Sequence, residues 1–272
     1  MMKKYLKNTI YRAEDFLYKN NHRIDWVREN NFGDILNPVL AQYITSKKIL
    51  HVNPLYYNKK YISAIGSICG RANKNAIIWG SGFISEHTEI REAPYKICAV
   101  RGIKTAEKYL SLGIEPPAVF GDPALLISRY YKPKIEKKYK IGVIPHYVDY
   151  STSFIKKCIA SSGVKVINLI NSNPLTVIDE IMQCEIILSS SLHGLIVPEA
   201  YGIKTKWIKL SENVIGGDFK FQDHYQTLGL INEEAIRVND SDDVFSLSKY
   251  AFKKDININL DFLLKSSPFY EK

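Results

Sequence analysis

Between Ile141 and Leu210 the chain alternates short β-branched runs with helical segments, and this alternation constrains the fold more than any other feature. The expected strands are Ile141 to Ile144, Val164 to Ile170, Glu185 to Ser190 and Thr205 to Leu210; the expected helices are Ser153 to Ser161, Pro174 to Cys184 and Leu192 to Tyr201. Strands that follow helices at this spacing pair in parallel, so the segment reads as a Rossmann-like sheet. The first half repeats the grammar less cleanly. Its strands are expected at Ala76 to Trp79, Ile97 to Val100 and Ala118 to Phe120, with helices at Pro38 to Ile44 and Thr105 to Leu112.

The Lys132-Pro133-Lys134-Ile135-Glu136-Lys137-Lys138-Tyr139-Lys140 stretch lacks a periodic apolar face and reads as a linker. It divides the 272 residues into an amino-terminal α/β domain, 1–134, and a carboxyl-terminal Rossmann-like domain, 135–272, whose tail could fold back on the first. The fold class is α/β, with ligands expected beyond the carboxyl ends of the strands.

Hydrophobic residues make up 46% of the chain, enough for such a core, and no stretch is long and apolar enough to span a bilayer. The basic start runs into Asn8, Arg12, Glu14 and Asp15 instead of a signal-peptide core, so a cytoplasmic protein is expected. Cys69, Cys98, Cys158 and Cys184 are scattered in apolar contexts and read as buried thiols. The net charge of +9 implies an anionic partner. Nucleic acid is disfavoured, because there is no helix-turn-helix, zinc-finger or RNP signature. An amino-terminal helix would align Leu6, Ile10, Ala13 and Leu17, a face that could pack on the parent domain or lie on an anionic membrane.

Chemistry is expected where strands end. Ser189-Ser190-Ser191-Leu192-His193-Gly194 is a strand running straight into a helix, where hydroxyls and free N–H groups could hold an anion and His193 would face the same cleft. Serine capping and a hydrogen-bonded neutral histidine explain that spacing equally well. Asp34 and Asn37, around the turn at Gly33, could cap a helix or meet a ligand hydroxyl. Gly80-Ser81-Gly82 lets backbone amides approach a ligand, without the third glycine of a dinucleotide site. Arg101 follows a strand and could hold a phosphate or carboxylate bidentately, or sit in a surface salt bridge. His146 follows the first strand of the second domain, and Asp122 lies in a turn that could aim it into the cleft. His22, His51, His87 and His224 lack such a setting, and no spacing suits a metal.

Taken in order, N-F-G-D-I-L-N-P at 31–38, W-G-S-G at 79–82, V-R-G-I-K-T at 100–105 and G-D-P-A-L-L at 121–126 resemble the polysaccharide pyruvyl transferase family. I-P-H-Y at 144–147, S-S-S-L-H-G-L-I at 189–196 and P-E-A-Y-G-I at 198–203 continue the series. The resemblance implies two Rossmann-like domains facing a cleft, as in GT-B glycosyltransferases. It implies phosphoenolpyruvate as donor with no further cofactor, and as acceptor a sugar of a surface polysaccharide or its lipid-linked repeat unit. The product would be a pyruvate ketal with phosphate released, and a lipid-linked acceptor would bring the protein to the cytoplasmic face of the membrane.

On that resemblance His193 is the expected general acid/base, with His146 auxiliary and Asp34 orienting or deprotonating an acceptor hydroxyl. Where some members carry arginine two residues before the histidine, this chain has Ser191. The donor's anions are therefore expected on Arg101, Ser190, Ser191 and Lys220, and the acceptor on Asn37, Gly80, Ser81 and Asp122. Two rival readings share the fold: a glycosyltransferase holding a nucleotide sugar through Glu199 and the Gly216-Gly217 loop, and a non-catalytic sugar-binding subunit. Retention of Asp34, Arg101, His146 and His193 argues against the second.

Overall fold

A computed structural model describes residues 2–17, 21–28, 31–170 and 173–270. In the first half, helix α1 (Met2–Leu17) precedes β1 (His22–Asp25), α2 (Phe32–Thr45), β2 (Ile49–Val52) and β3 (Tyr61–Ser63). Strands β4 (Ala76–Trp79) and β5 (Lys96–Ala99) and helices α3 (Ile103–Ser111) and α4 (Ile127–Tyr130) complete it. The second half begins with β6 (Tyr139–Ile144), α5 (Ser153–Ala160), β7 (Val164–Val166), α6 (Pro174–Met182), β8 (Cys184–Ser189) and α7 (His193–Ala200). It ends with β9 (Lys204–Lys209), α8 (Phe219–Thr227), β10 (Ile236–Arg237), α9 (Val244–Ser248) and α10 (Leu260–Lys265).

Each half holds one parallel five-stranded sheet, ordered β2-β1-β3-β4-β5 in the first and β7-β6-β8-β9-β10 in the second. The two orders are the same doubly wound pattern. In each the chain turns to one side of its first strand and then to the other, leaving a switch point between β1 and β3 and between β6 and β8. The molecule is thus an α/β protein with two Rossmann-like sheets, consistent with a GT-B-like arrangement.

The second-half elements fall where the alternation of the sequence puts them, to within a few residues, although the Val164 strand is only three residues long. In the first half β1, β2 and β3 have no counterpart in the sequence reading, because strands of three or four residues are too short to show a period. Ala118–Phe120 forms no strand; Phe120 makes a single bridge to Val100.

Helix α2 starts at Phe32, six residues before the expected Pro38. A proline inside a helix leaves the carbonyl four residues earlier without its donor. Here Asn37 Nδ2 donates to Asp34 O at 3.1 Å and fills that gap, so the helix passes through Pro38.

The halves are joined by a continuous core. Ile24, Leu36, Leu40 and Trp79 of the first belong to the same apolar cluster as Ile144, Leu195, Ile196 and Trp207 of the second. The 123–126 turn packs on α7, α2 on α6 and α3 on α8. The carboxyl-terminal segment lies on the first sheet, where Trp79 Nε1 donates to Leu263 O at 2.8 Å and Phe269 meets the Trp79 ring edge-on. Each fully buried aliphatic or aromatic side chain in such a seam contributes about 1.5–3 kcal/mol to holding the halves together.

Helix α1 packs through Tyr11, Glu14 and Asp15: Tyr11 stacks edge-on against Tyr57, and Arg23 bonds both carboxylates, at 2.7 Å to Glu14 and 2.6 Å to Asp15. Ile10, Ala13 and Leu17 face outward. The expected Leu6 side chain lies outside the described ones. All four cysteines are buried free thiols.

Candidate active site

The carboxyl ends of both sheets meet at a cavity of about 310 Å³. Its walls come from loops that follow β1, β3, β4, β6, β8 and β9, so the cavity sits over both switch points at once. Asp34, His146, Ser191, His193 and Lys220 line it, joined by Asn31 and Ser67. A larger cavity, about 810 Å³, lies near the opposite, amino end of the first sheet, beside His22 and Tyr61, away from these groups.

His193 is the first residue of α7 and is held from two directions. Its Nε2 lies 3.4 Å from Asp122 Oδ2, an ion-pair contact short of hydrogen-bond geometry, and neither atom hydrogen-bonds any other described residue. Asp122 is fully buried, and its Oδ1 accepts from Ala124 N at 2.9 Å, which fixes the carboxyl plane. A carboxylate facing Nε2 selects the tautomer protonated there, leaving Nδ1 for exchange with a ligand. On the Nδ1 side the ring rests against Gly33, where a Cβ would come within 2.1 Å of Nδ1. The glycine of N-F-G-D is thus the surface against which the imidazole lies.

The serines before His193 do other work than capping. Ser189 Oγ donates to Ile144 O at 2.8 Å and accepts from Ser191 N at 3.0 Å, locking the turn to β6. Ser190 Oγ accepts from His146 N at 2.8 Å and donates to Asp149 Oδ2 at 3.1 Å, so it is buried and committed. Ser191 reaches the cavity wall. Helix α7 begins without a side-chain cap, and its positive end borders the cavity. Gly194 permits this start: a Cβ there would meet Ser189 Oγ at 2.4 Å.

Lys220, almost fully buried on α8, donates to Ile215 O at 3.1 Å. Burial, with the nearby Arg101 charge, pushes its ammonium down to about 8. His146 is pushed down to about 4 by burial and by Lys220, against the opposing pull of Asp149. It is therefore neutral at pH 7. Its Nδ1 faces the Val148 N–H at 3.5 Å, which leaves Nε2–H as its donor.

Other expected site residues do not reach the cavity. Arg101 is fully buried: Nε donates to Asp223 at 2.8 Å, one terminal nitrogen to Ser67 Oγ at 2.6 Å and the other to Phe83 O at 2.7 Å. It bridges the two halves and touches the cavity only through Ser67. Gly82 makes room for it, since a Cβ would lie 2.3 Å from the guanidinium carbon. Asn37 spends its amide on Asp34 O and on both backbone groups of Ile65, so it pins α2 and has none left for an acceptor. Ser81 is buried beside Ser63 Oγ, and Gly80 turns at φ 82° against Pro123. Asp122 stands behind His193 instead of in the opening.

Sequence reasoning missed Ser67 and Asn31. Ser67 follows β3, a strand too short to show a period, so Gly66-Ser67 carries no post-strand signature in the sequence. Asn31 was hidden by the late expected start of α2, which it caps by accepting from Gly33 N at 3.3 Å. The residues of the nucleotide-sugar reading are also occupied. Glu199 is buried and bonded by His224 Nε2 at 2.7 Å, Thr205 Oγ1 at 2.7 Å and Tyr225 OH at 3.1 Å. Gly216 packs so tightly on Ile84 that a Cβ would lie 2.0 Å from its carbonyl oxygen.

Two parallel sheets bring a histidine–carboxylate pair and a buried lysine together at their facing carboxyl edges, the place where α/β enzymes hold ligands. The chain belongs to the polysaccharide pyruvyl transferase family, which it matches over residues 2–209. It is similar to the succinoglycan biosynthesis protein ExoV of Rhizobium meliloti, with 26% identity over 75% of this chain and 63% of that protein. A protein of Acanthamoeba polyphaga mimivirus shares 26% identity over 77% of this chain and 75% of its own length. A Klebsiella pneumoniae protein of known crystal structure aligns with 88% of this chain at 13% identity and a TM-score of 0.45. Among the described residues, no helix is long and apolar enough to cross a membrane.

Proposed function

We propose that this pyruvyl transferase moves the enolpyruvyl unit of phosphoenolpyruvate onto two hydroxyls of one sugar in a surface polysaccharide or its precursor. The observation that carries the reading is the His193–Asp122 pair facing a small cavity that also holds a buried lysine and an uncapped helix start. An enol phosphate needs a proton at its methylene carbon and cationic partners for its phosphate and carboxylate.

His193 delivers a proton from Nδ1 to the methylene carbon, making it methyl, while a sugar hydroxyl adds to the adjacent carbon and gives its proton to Asp34. A second hydroxyl of the same sugar then displaces phosphate from that carbon, and its proton returns to His193. One ketal with two C–O bonds forms, and inorganic phosphate leaves. Asp122 stabilises the imidazolium present before the first step and after the second, and Asp34 passes its proton to the departing phosphate. Lys220, Ser191, Ser67, neutral His146 and the start of α7 hold the donor's anions, and Arg101 acts behind Ser67. On this reading the reaction runs in the cytoplasm or at the cytoplasmic face of the membrane and calls for no nucleic acid.

The test is phosphate release and the mass added to a panel of glycosides. The unmodified protein should release phosphate only with a suitable diol acceptor, and His193→Ala should lose at least 100-fold in turnover. Near-normal release by a folded His193→Ala protein would exclude the assignment.

A further inference from the structure

A second cavity, about 760 Å³, adjoins the first, and Val27 stands in the wall of both. It lies beyond the carboxyl end of β1 and along the edge strand β2, and its size is that of a ligand-binding cleft. Three cations from separate segments line it: Lys7 of α1, Arg28 after β1 and Arg71 in the turn after β3. The half-buried His51 imidazole in the same wall is held down to about 4, by desolvation first and then by the charges of Arg28, Arg71 and Lys7. The acidic groups nearby are already engaged: Glu14 with Arg23 at 2.7 Å and Asp25 with Arg71 at 2.9 Å. Trp26 and His51, packed edge to face at 4.6 Å, and Tyr11 give the cavity aromatic walls.

The residues expected to bind an acceptor are buried, so an acceptor larger than one sugar must leave the smaller cavity through an adjoining space. We propose that the second cavity is the acceptor subsite and that Lys7, Arg28 and Arg71 bind a phosphate or diphosphate carried by the acceptor glycan, whose sugars lie on the Trp26 and Tyr11 rings. This rests on the pyruvyl-transfer reading only for the word acceptor; the anion site stands or falls by itself. Arginines supply paired donors for phosphate oxygens, and aromatic faces suit the apolar faces of sugar rings.

The probes are inorganic diphosphate and phosphoenolpyruvate, titrated calorimetrically into the full chain. Lys7→Gln with Arg28→Gln should weaken diphosphate binding by about tenfold or more, the loss expected when charge-assisted hydrogen bonds are removed, and leave phosphoenolpyruvate binding within twofold. Lys220→Gln should do the reverse. Lys7 is half-exposed and Arg28 exposed, whereas Lys220 is buried, and an unchanged melting temperature of each variant establishes that the protein is folded.

Diphosphate affinity unaltered by the Lys7/Arg28 changes, or weakened only by Lys220→Gln, overturns the proposal. Binding of anionic vesicles through Lys7 and Arg28 without binding of soluble phosphates overturns it too, and would make the patch a membrane contact. Loss of all phosphoenolpyruvate binding with diphosphate binding intact would sink the donor reading and spare this one. Farnesyl diphosphate and glucose 1-phosphate distinguish the source. Dependence of the former on Ile10, which lines the cavity and is half exposed, marks a prenyl carrier; tighter, Ile10-independent binding of the latter marks a phosphate on the sugar itself.

Discussion

Gly33→Ala separates catalysis from folding in one substitution. The added methyl would lie 2.1 Å from His193 Nδ1, 2.6 Å from Cε1 and 2.6 Å from Cγ, so it meets the face of the ring instead of the end of a flexible chain. Reaching ordinary van der Waals separation requires the imidazole to move by more than about 1 Å. Misplacement of a reacting group by about 1 Å costs on the order of 100-fold in rate. The helix gains roughly 0.5–1 kcal/mol, because Gly33 lies in the first turn of α2 and alanine is the better helix former, against about 1–3 kcal/mol for overpacking a buried contact. The expected result is a folded protein with a melting temperature lowered by a few degrees and turnover reduced about 100-fold. Phosphate release and a thermal melt on the same preparation read both quantities. Turnover within threefold of the parent, with the fold intact, would refute the placement of His193 Nδ1 at the reacting centre.

Other outcomes follow from the same geometry. Asp122→Asn keeps the shape but presents an amide to Nε2, and should lower turnover on the order of 10²–10⁴-fold with little change in KM. Arg101→Ala strips the partner from buried Asp223 between the halves and should cost about 3–5 kcal/mol in urea-induced unfolding, although Thr105 still bonds that carboxylate. If Lys220 holds the donor, its charge is lost as pH rises through about 8, so KM for phosphoenolpyruvate should rise about tenfold per unit above that pH while Lys220→Arg stays flat. Its stability contribution runs the other way: between about 8 and the unfolded value of 10.5 the unfolded chain holds the proton more tightly, so stability rises with pH.

The second half was legible because its strands and helices are long enough to display a period, and the S-S-S-L-H-G turn fell between β8 and α7 as read. The first half was not, since three- and four-residue strands carry no alternation and Pro38 resembled a helix start although Asn37 lets the helix run through it. Site residues divided along a physical line. Sequence can show that Arg101 or Asp122 follows a strand, but both point inward, one to Asp223 and one to His193, and those partners lie far away along the chain. A charged residue at a strand end is compatible with a ligand or with a buried partner, and only packing distinguishes them.

The repeated strand order explains why the working groups converge although they come from remote segments. At a switch point the loops leave the carboxyl edge in opposite directions and open a crevice between them. One sheet would offer an open crevice; here the second sheet, wound in the same order, faces it and supplies the other wall. His193 shows what this requires. Its position depends on Asp122 and Gly33 from the first half and on Ser189 and Gly194 from its own, so a shift of either half displaces the imidazole. The shared apolar core and the Arg101–Asp223 pair keep that from happening. Weakening the seam without touching the cavity, for example through Leu195→Ala at about 2–5 kcal/mol, should therefore lower turnover before the protein unfolds. Loss of turnover that only tracked the unfolded fraction would show instead that the site is assembled by the second half alone.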